Sequence, residues 1–250
     1  ESIKVAVRTV PSFHELISDQ KKMTDLQGLS LDDLLPRARV SNDLLAHVKS
    51  KVLLISGAGG SIGSEIARQL LENKPKSIIL FDVSEFNLFK VDRECQALKA
   101  SKNLSTTIIP ILGDIRDVTN LHFLFKKFSI DCIYHAAAYK HVPLVEDVNN
   151  ITKACENNII GTYNLASAAI DNNVESFVMI STDKAVRPSN IMGASKRMAE
   201  MVIQSLNTKS PNTRFSMVRF GNVINSSGSV IPLFLDQIAK GGPVTVTDKN

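Results

Sequence analysis

From residue 51 to residue 220, short apolar runs alternate with amphipathic stretches, and this alternation predicts the fold before any single residue is considered. The runs near 51–56, 77–82, 106–112, 131–136, 176–181 and 214–220 have the length of strands. The stretches 62–73, 84–100, 118–128, 151–172 and 193–206 carry apolar residues at helical spacing. Strands that alternate with helices pair in parallel and are covered on both faces, so the expected class is α/β, a Rossmann-like doubly wound parallel sheet. In such sheets ligands sit outside the carboxyl ends of the strands, and the residues just after each strand carry the functional signal.

Residues 1–50 follow a different pattern. Ile3 to Val7 alternates like a strand, Ser12 stands where it can cap a short helix through Ile17, and Asp25 to Leu35 is an acidic, leucine-bearing stretch closed by Pro36. This is too little to fold alone and reads as the tail of an upstream domain with a linker helix, which makes the sequence a portion of a longer protein. The nucleotide-binding domain is expected over 51–250.

The first strand breaks into Gly57, Gly59, Gly60 and Gly63, and a helix pattern begins at once with Ile62, Ile66, Ala67, Leu70 and Leu71 on one face. Strand, tight turn and helix in this order suit a diphosphate: glycines let the backbone approach it, and the helix N-terminus offers unpaired N–H groups. Gly57, Gly59, Gly60, Ser61, Ile62 and Gly63 are the candidate contacts. The second strand ends in Asp82, about 20 residues further on, where a carboxylate accepts from the hydroxyls of an adenosine ribose and repels a 2′-phosphate. The cofactor expected is therefore NAD. A glycine turn that serves packing alone is the competing explanation.

Composition narrows the partners. The net charge of +4 comes from scattered lysines, and with no Trp and 6% aromatic residues there is little basis for a nucleic-acid surface. Cys95, Cys132 and Cys155 lack metal or disulfide spacing, so no metal site is expected. No apolar run approaches the length needed to cross a bilayer.

Later strand ends supply further candidates. Asp114 with Ile115 can bracket an adenine, and Ala136, Ala137 and Ala138 form a surface on which a flat cofactor can lie; a helix cap for Asp114 and tight packing for the alanines are the alternatives. The fifth strand ends in Ser181, Thr182, Asp183 and Lys184. An acid beside an amine and a hydroxyl is an acid/base set if the surroundings tune both groups toward neutrality, and otherwise an exposed ion pair. Met192 and Lys196 lie one turn apart on a helix start.

Together the segments GAGGSIGSE, GDIRD, HAAAYKHVP, STDKAVRPSNIMGASKR and RFGNVINSSGSVIPLF resemble the extended short-chain dehydrogenase/reductases, specifically the nucleotide-sugar 4,6-dehydratases of bacterial polysaccharide and glycan synthesis. The N-terminal DLQGLSLDDLLPRARV resembles the connector of the long, membrane-anchored members, which implies a parent anchored in the inner membrane with this domain on the cytoplasmic side. The resemblance also implies a homo-oligomer, and a UDP-N-acetylhexosamine substrate, most simply UDP-N-acetylglucosamine. In the implied reaction hydride leaves sugar C4 for NAD, the ketone acidifies the C5 proton, water is eliminated across C5 and C6, and the hydride returns to C6.

By the same resemblance Lys184 is the C5 base, Asp183 the acid for the C6 hydroxyl, and Thr182 a hydrogen-bonding partner near the C4 oxygen. Lys196 is implied to bond the nicotinamide ribose. Lys140, His141 and Asn222 align with substrate contacts, and Asn158 with a residue that braces the catalytic region; for His141 a helix cap is the alternative. Most of the superfamily has Tyr where Met192 stands, and a thioether cannot accept the C4 proton. The long dehydratases share this Met, and Asp183 or Lys184 is left to take that proton directly or through water. Relatives continue beyond VTVTDKN into the rest of a smaller substrate subdomain, so the substrate pocket is expected to be incomplete here. Two rivals remain: a 4-epimerase or C5-inverting dehydratase of the same fold, and a non-catalytic NAD sensor.

Overall fold

The computed structural model describes residues 8–9, 27–28, 47–223, 234, 236–238 and 240–245. The chain divides into two compact units, Glu1–Leu44 and Leu45–Asn250. In the first, Arg8–Thr9 pairs antiparallel with Gln27–Gly28. Within the acidic stretch expected to form a linker helix, the described pair Gln27–Gly28 is thus extended. The strand expected at Ile3 to Val7 and the helix from Ser12 to Ile17 lie outside the described residues.

The second unit contains β1 (Val52–Ser56), α1 (Ser61–Glu72), β2 (Ser77–Asp82), α2 (Glu85–Ser101), β3 (Thr107–Leu112), α3 (Val118–Lys127) and β4 (Cys132–His135). A short α4 (Val142–Val145) follows, then α5 (Ile151–Cys155), a π-helical turn (Glu156–Gly161), α6 (Thr162–Asp171), β5 (Ser176–Thr182), a 3-10 turn (Asp183–Ala185), α7 (Ile191–Lys209) and β6 (Arg214–Phe220). The sheet order is β3-β2-β1-β4-β5-β6 and every neighbouring pair is parallel. This is the doubly wound Rossmann-like α/β sheet that the alternation predicts. Its order reverses between β1 and β4, which opens a crevice at their carboxyl ends.

Successive strand residues face opposite sides, and two cores result. Leu53, Ile55, Ile78 and Leu80 pack with Ala67, Leu70 and Leu71 of α1 and with Leu88 and Val91 of α2. Leu54, Ile79, Phe81, Ile133, Phe177 and Met179 pack with Leu121 and Leu124 of α3, Leu165 and Ala169 of α6, and Ala199 and Ile203 of α7. The central strands β1 and β2 therefore carry apolar residues on both faces, as strands covered on both sides require.

The single helix expected over 151–172 is interrupted. Thr162 Oγ1 donates to the Asn158 carbonyl at 2.7 Å, taking an acceptor that a regular α-helix would give to the Thr162 N–H, and the surrounding turn widens to the π form. The helix expected over 193–206 begins earlier, because the Asn190 side chain caps it by accepting from Gly193 N, and it runs to Lys209. Two short elements that periodicity does not reveal are α4 and the 3-10 turn, each less than two turns long. Most residues of the expected substrate subdomain lie outside the described ones. Among the described residues no helix is long and apolar enough to cross a membrane.

Candidate active site

A groove of about 280 Å³ opens at the β1/β4 reversal, lined in part by Gly57, Gly60, Asp82, Asp114, Ile115, Ala136, Ala137 and Ala138. Its floor depends on a close backbone approach. Gly57 has φ +70°, and a Cβ there would lie 2.5 Å from Ala137 N, so the turn after β1 can sit on the β4 exit only as glycine. Gly60 caps α1, whose first residues are Ser61 and Ile62, and Gly63 is buried against the same turn. The turn thus aims a twelve-residue helix at the groove.

Asp82 is buried and held by two backbone donors, Gly59 N to Oδ2 and Ser84 N to Oδ1, each at 2.8 Å. Roughly two of its four lone-pair positions remain for a ligand in the groove. Asp114 also lines the groove but is more heavily engaged. Its Oδ1 accepts from Arg116 N at 2.8 Å and from Nε at 3.0 Å, and its Oδ2 accepts from Nε at 2.9 Å and Nη2 at 2.5 Å. The Arg116 side chain holds the carboxyl below its ordinary value, against a smaller opposing effect of burial. Asp114 is not a helix cap; α3 is capped by Asp117, which accepts from Asn120 N. Ile115 is buried at the groove and packs on Gly161.

The end of β5 gathers the candidates for chemistry. Thr182 Oγ1 donates to Asp183 Oδ1 at 3.0 Å, and Lys184 Nζ lies 3.2 Å from the same oxygen. Asn222, beyond β6, accepts from Lys184 Nζ at 3.1 Å, so residues 38 apart in sequence converge on one ammonium. The expectation that this acid is tuned toward neutrality is not met. Asp183 has 56% of its side chain exposed, and the Thr182 hydroxyl, then Lys184, hold its carboxyl low. At that exposure the ion pair contributes no more than about 1 kcal/mol.

Behind this turn lies a buried layer. Met192 is 3% exposed and packs with Val145 and Ala154, so its thioether belongs to a small core beneath the site. A volume-conserving swap there costs less than about 1.5 kcal/mol, which limits the loss to roughly tenfold. Met192→Leu is expected to keep turnover within that range with little change in melting temperature; a larger loss with a normal melting temperature would give the sulfur a role beyond shape. Lys196 Nζ donates to the Ile180 carbonyl at 2.8 Å, and burial pushes its pKa down to about 8 while Glu200 opposes the fall.

The Asn158 side chain accepts from Tyr139 N at 2.8 Å and donates to Tyr139 O and Ser195 Oγ, both at 3.0 Å. It is fully buried, and its amide is spent on bracing the β4 exit against α7. Lys140 and His141 are exposed. Partial burial lowers the pKa of Lys140. His141 occupies the cap position of α4 through its backbone alone, its side chain making no cap bond.

Several residues of the site were not singled out in the sequence. His135 bridges Ser56 Oγ at 2.7 Å and Thr162 Oγ1 at 2.9 Å, and burial, with the Lys196 charge, pushes its pKa down to about 3. Because the Thr162 hydroxyl donates to Asn158, it accepts from Nε2–H, which leaves Nδ1 to accept from Ser56. A Cβ on Gly193 would strike the Lys184 carbonyl, so glycine lets α7 close under the Asp183–Ala185 turn. Glu200 is 0% exposed and accepts from Ser181, Arg197 and Arg219. Its position four residues after Lys196 was the one available signal.

Comparison with known proteins places the chain in a family. Residues 53–250 match the family described as "Polysaccharide biosynthesis protein". The chain belongs to that family and is an extended short-chain dehydrogenase/reductase. It is 44% identical over 95% of its length to the capsular polysaccharide biosynthesis protein CapD of Staphylococcus aureus, of which it covers 39%. It is 36% identical over 79% of its length to the UDP-N-acetylglucosamine 4,6-dehydratase (inverting) of Campylobacter jejuni, covering 57% of that protein. The UDP-glucose 4-epimerase of Rickettsia massiliae is similar to the same degree, 36% over 79% of the chain and 56% of the relative. A solved dTDP-glucose 4,6-dehydratase, DesIV of Streptomyces venezuelae with NAD bound, superposes with a TM-score of 0.62 at 25% identity, covering 77% of this chain and 63% of that one. The chain thus spans less than two thirds of the length of these relatives. These relatives are nucleotide-sugar dehydratases, epimerases and polysaccharide biosynthesis proteins.

Proposed function

We propose that this chain forms the NAD-binding and catalytic part of a nucleotide-sugar 4,6-dehydratase that acts on UDP-N-acetylglucosamine. The observation that carries the reading is the convergence of Thr182, Asp183, Lys184 and Asn222 at the end of β5, beside a groove whose donors and acceptors fit a dinucleotide. The fit rests on three features. The glycine turn packs the β1 exit onto the β4 exit and α2 where a Cβ would strike the protein's own atoms, the α1 N-terminus faces anions, and Asp82 is preset by two backbone N–H groups.

In this reading Gly57, Gly59, Gly60, Ser61, Ile62 and Gly63 hold the diphosphate and Asp82 the adenosine ribose. Ile115 and Asp114 flank the adenine, and Ala136, Ala137 and Ala138 form the floor. Lys196 holds the nicotinamide ribose. The bound dinucleotide supplies reversible hydride acceptance, which makes the net dehydration redox-neutral. Thr182 orients the C4 oxygen, and Asp183, ionised at rest, takes the C4 hydroxyl proton and later gives it to the departing C6 hydroxyl. Lys184 removes the C5 proton once C4 is a ketone and returns a proton to C5 as hydride comes back to C6. Holding the C4 proton on Asp183 requires the substrate to bury the turn, because desolvation has to offset the hydrogen bonds that keep Asp183 ionised at rest. Lys140, His141 and Asn222 stand at the exposed rim, where they contact the sugar nucleotide.

The epimerase reading draws on the relatives of equal similarity. Against it stands Lys184 paired with Asp183, since a base and an acid on adjacent residues serve an elimination, whereas epimerisation needs only hydride removal and return at C4. Incubation with UDP-N-acetylglucosamine in deuterated water separates the two. Dehydration gives a product lighter by one water, with deuterium at C5; epimerisation gives an isomer of unchanged mass and no deuterium. No change in the sugar at all would remove both.

Cofactor preference is a second consequence. A charged hydrogen bond from the ribose to Asp82 contributes on the order of 1.5–3 kcal/mol, and the same charge repels a 2′-phosphate. NAD is expected to outcompete NADP by at least about tenfold in a competition titration, and equal affinity would contradict the role given to Asp82.

A further inference from the structure

Glu200 is the most completely enclosed acid among the described residues, and its surroundings join three elements. It lies on α7, one turn beyond Lys196. Ser181 Oγ, at the end of β5, donates to it at 2.6 Å, and Arg219 of β6 donates through Nε at 2.7 Å and Nη2 at 2.5 Å. Arg197 Nη1 adds a fourth bond at 2.9 Å. Ser181 and Arg219 are register partners in the β5/β6 ladder, so the carboxylate grips both strands at one level. The residue before Ser181 is Ile180, whose carbonyl accepts from Lys196 Nζ. Two consecutive residues of β5 are therefore pinned by two consecutive turns of α7, immediately before Thr182, Asp183 and Lys184.

We propose that Glu200 is a positioning residue, the buried counter-charge that fixes Lys196 in place and in its ammonium form under the end of β5. The proposal rests on the reading above in so far as Lys196 there meets the nicotinamide ribose. An ammonium away from water needs an anion near it, and Glu156, on the π turn that also packs on α7, is already paired with Lys153 and Arg116. His135 on β4 is neutral, Arg219 on β6 and Lys184 on the 3-10 turn are cations, and Asp183 is turned outward with 56% of its side chain exposed. On α7 itself Arg197 is a cation that also binds Glu200. Glu200 keeps its own charge because the hydrogen bonds from Arg219, Ser181 and Arg197 outweigh the burial that would otherwise raise its pKa, leaving it at about 2. Its field reaches Lys196 and partly restores what burial removes.

The test is a titration of the lysine signals by NMR in the free protein, with 13C at the ε carbon and Lys196 assigned by its loss in Lys196→Arg. The wild-type midpoint is expected near 8. In Glu200→Gln it is expected to fall by about one pH unit or more, and an unchanged midpoint overturns the proposal. Arg219→Gln keeps the carboxylate and removes a competing cation, so the Lys196 midpoint is expected to rise; this arm still decides the matter if Glu200→Gln does not fold. A brace without an electrostatic role would give shifts of the same sign in both variants, and that result also overturns it. NAD affinity separates this inference from the reading on which it rests. If wild-type protein fails to bind NAD while the two midpoints move in opposite directions, the cofactor reading falls and the counter-charge stands.

Discussion

Lys184→Met is expected to lower turnover of UDP-N-acetylglucosamine by roughly a hundredfold to ten-thousandfold, the range for loss of a positioned base, while NAD affinity stays within about twofold. The separation follows from where the side chain lies. Lys184 Nζ bonds Asp183 and Asn222, and Lys184 is absent from the residues that line the dinucleotide groove. Its side chain is 35% exposed, so methionine keeps the buried methylenes and loses only the amine at the rim. Removing the ammonium also frees Asp183 from one of the groups that hold its carboxyl low, so in any residual activity the limb set by Asp183 titration is expected at higher pH than in the wild type. The measurement is steady-state turnover with NAD binding followed in parallel, in whichever length of the protein dehydrates the substrate. Near-normal turnover would take Lys184 out of the mechanism, and lost NAD binding would show that the turn after β5 supports the groove as well.

The sheet was legible because its signals are local. Each strand has five to seven residues, apart from the four of β4, and is mostly apolar; Gly follows β1, β3 and β6, and β2 and β5 end in Asp and Thr, where the chain leaves the sheet. The rule that ligands gather at those ends led to Gly57, Asp82, Ala136–138 and Thr182–Lys184 without any knowledge of the packing. Contacts across long sequence separations were not legible. The π turn at Glu156–Gly161, beside which the Thr162 hydroxyl takes the Asn158 carbonyl, leaves no mark in the apolar spacing of the sequence. Glu200 reads as an ordinary polar position of an amphipathic helix until Ser181 and Arg219, each 19 residues away, are seen around it. Asp183 shows the opposite failure. Thr182 and Lys184 do bond it, but whether the group sits in a closed pocket or at an open rim is a property of the whole surface, and in the described residues the rim is open.

Gly57→Ala is the substitution expected to do most damage to the dinucleotide groove. Two costs combine at this position. The backbone has φ +70°, where an L side chain costs roughly 1–2 kcal/mol, and the new Cβ would lie 2.5 Å from Ala137 N and 2.7 Å from the Ala136 carbonyl carbon. Those atoms are backbone at the exit of β4, fixed by the bond from Ala136 N to Ser56 O at 2.9 Å, so no flexible side chain can yield. Relief must come from parting the β1 turn and the β4 exit, which separates the residues that line the groove. NAD affinity is expected to fall at least a hundredfold, and the melting temperature to drop by several degrees, since roughly 3 kcal/mol is at stake. Gly60→Ala is the control. Gly60 has φ −72°, and its Cβ would meet the Gly57 carbonyl oxygen at 3.3 Å, a contact that a shift of a few tenths of an ångström relieves. Its NAD affinity is expected to change by less than about tenfold. If the two variants bound NAD equally well in the same titration, the close approach at Gly57 would not shape the site, and the groove would owe its form to the Asp82 side instead.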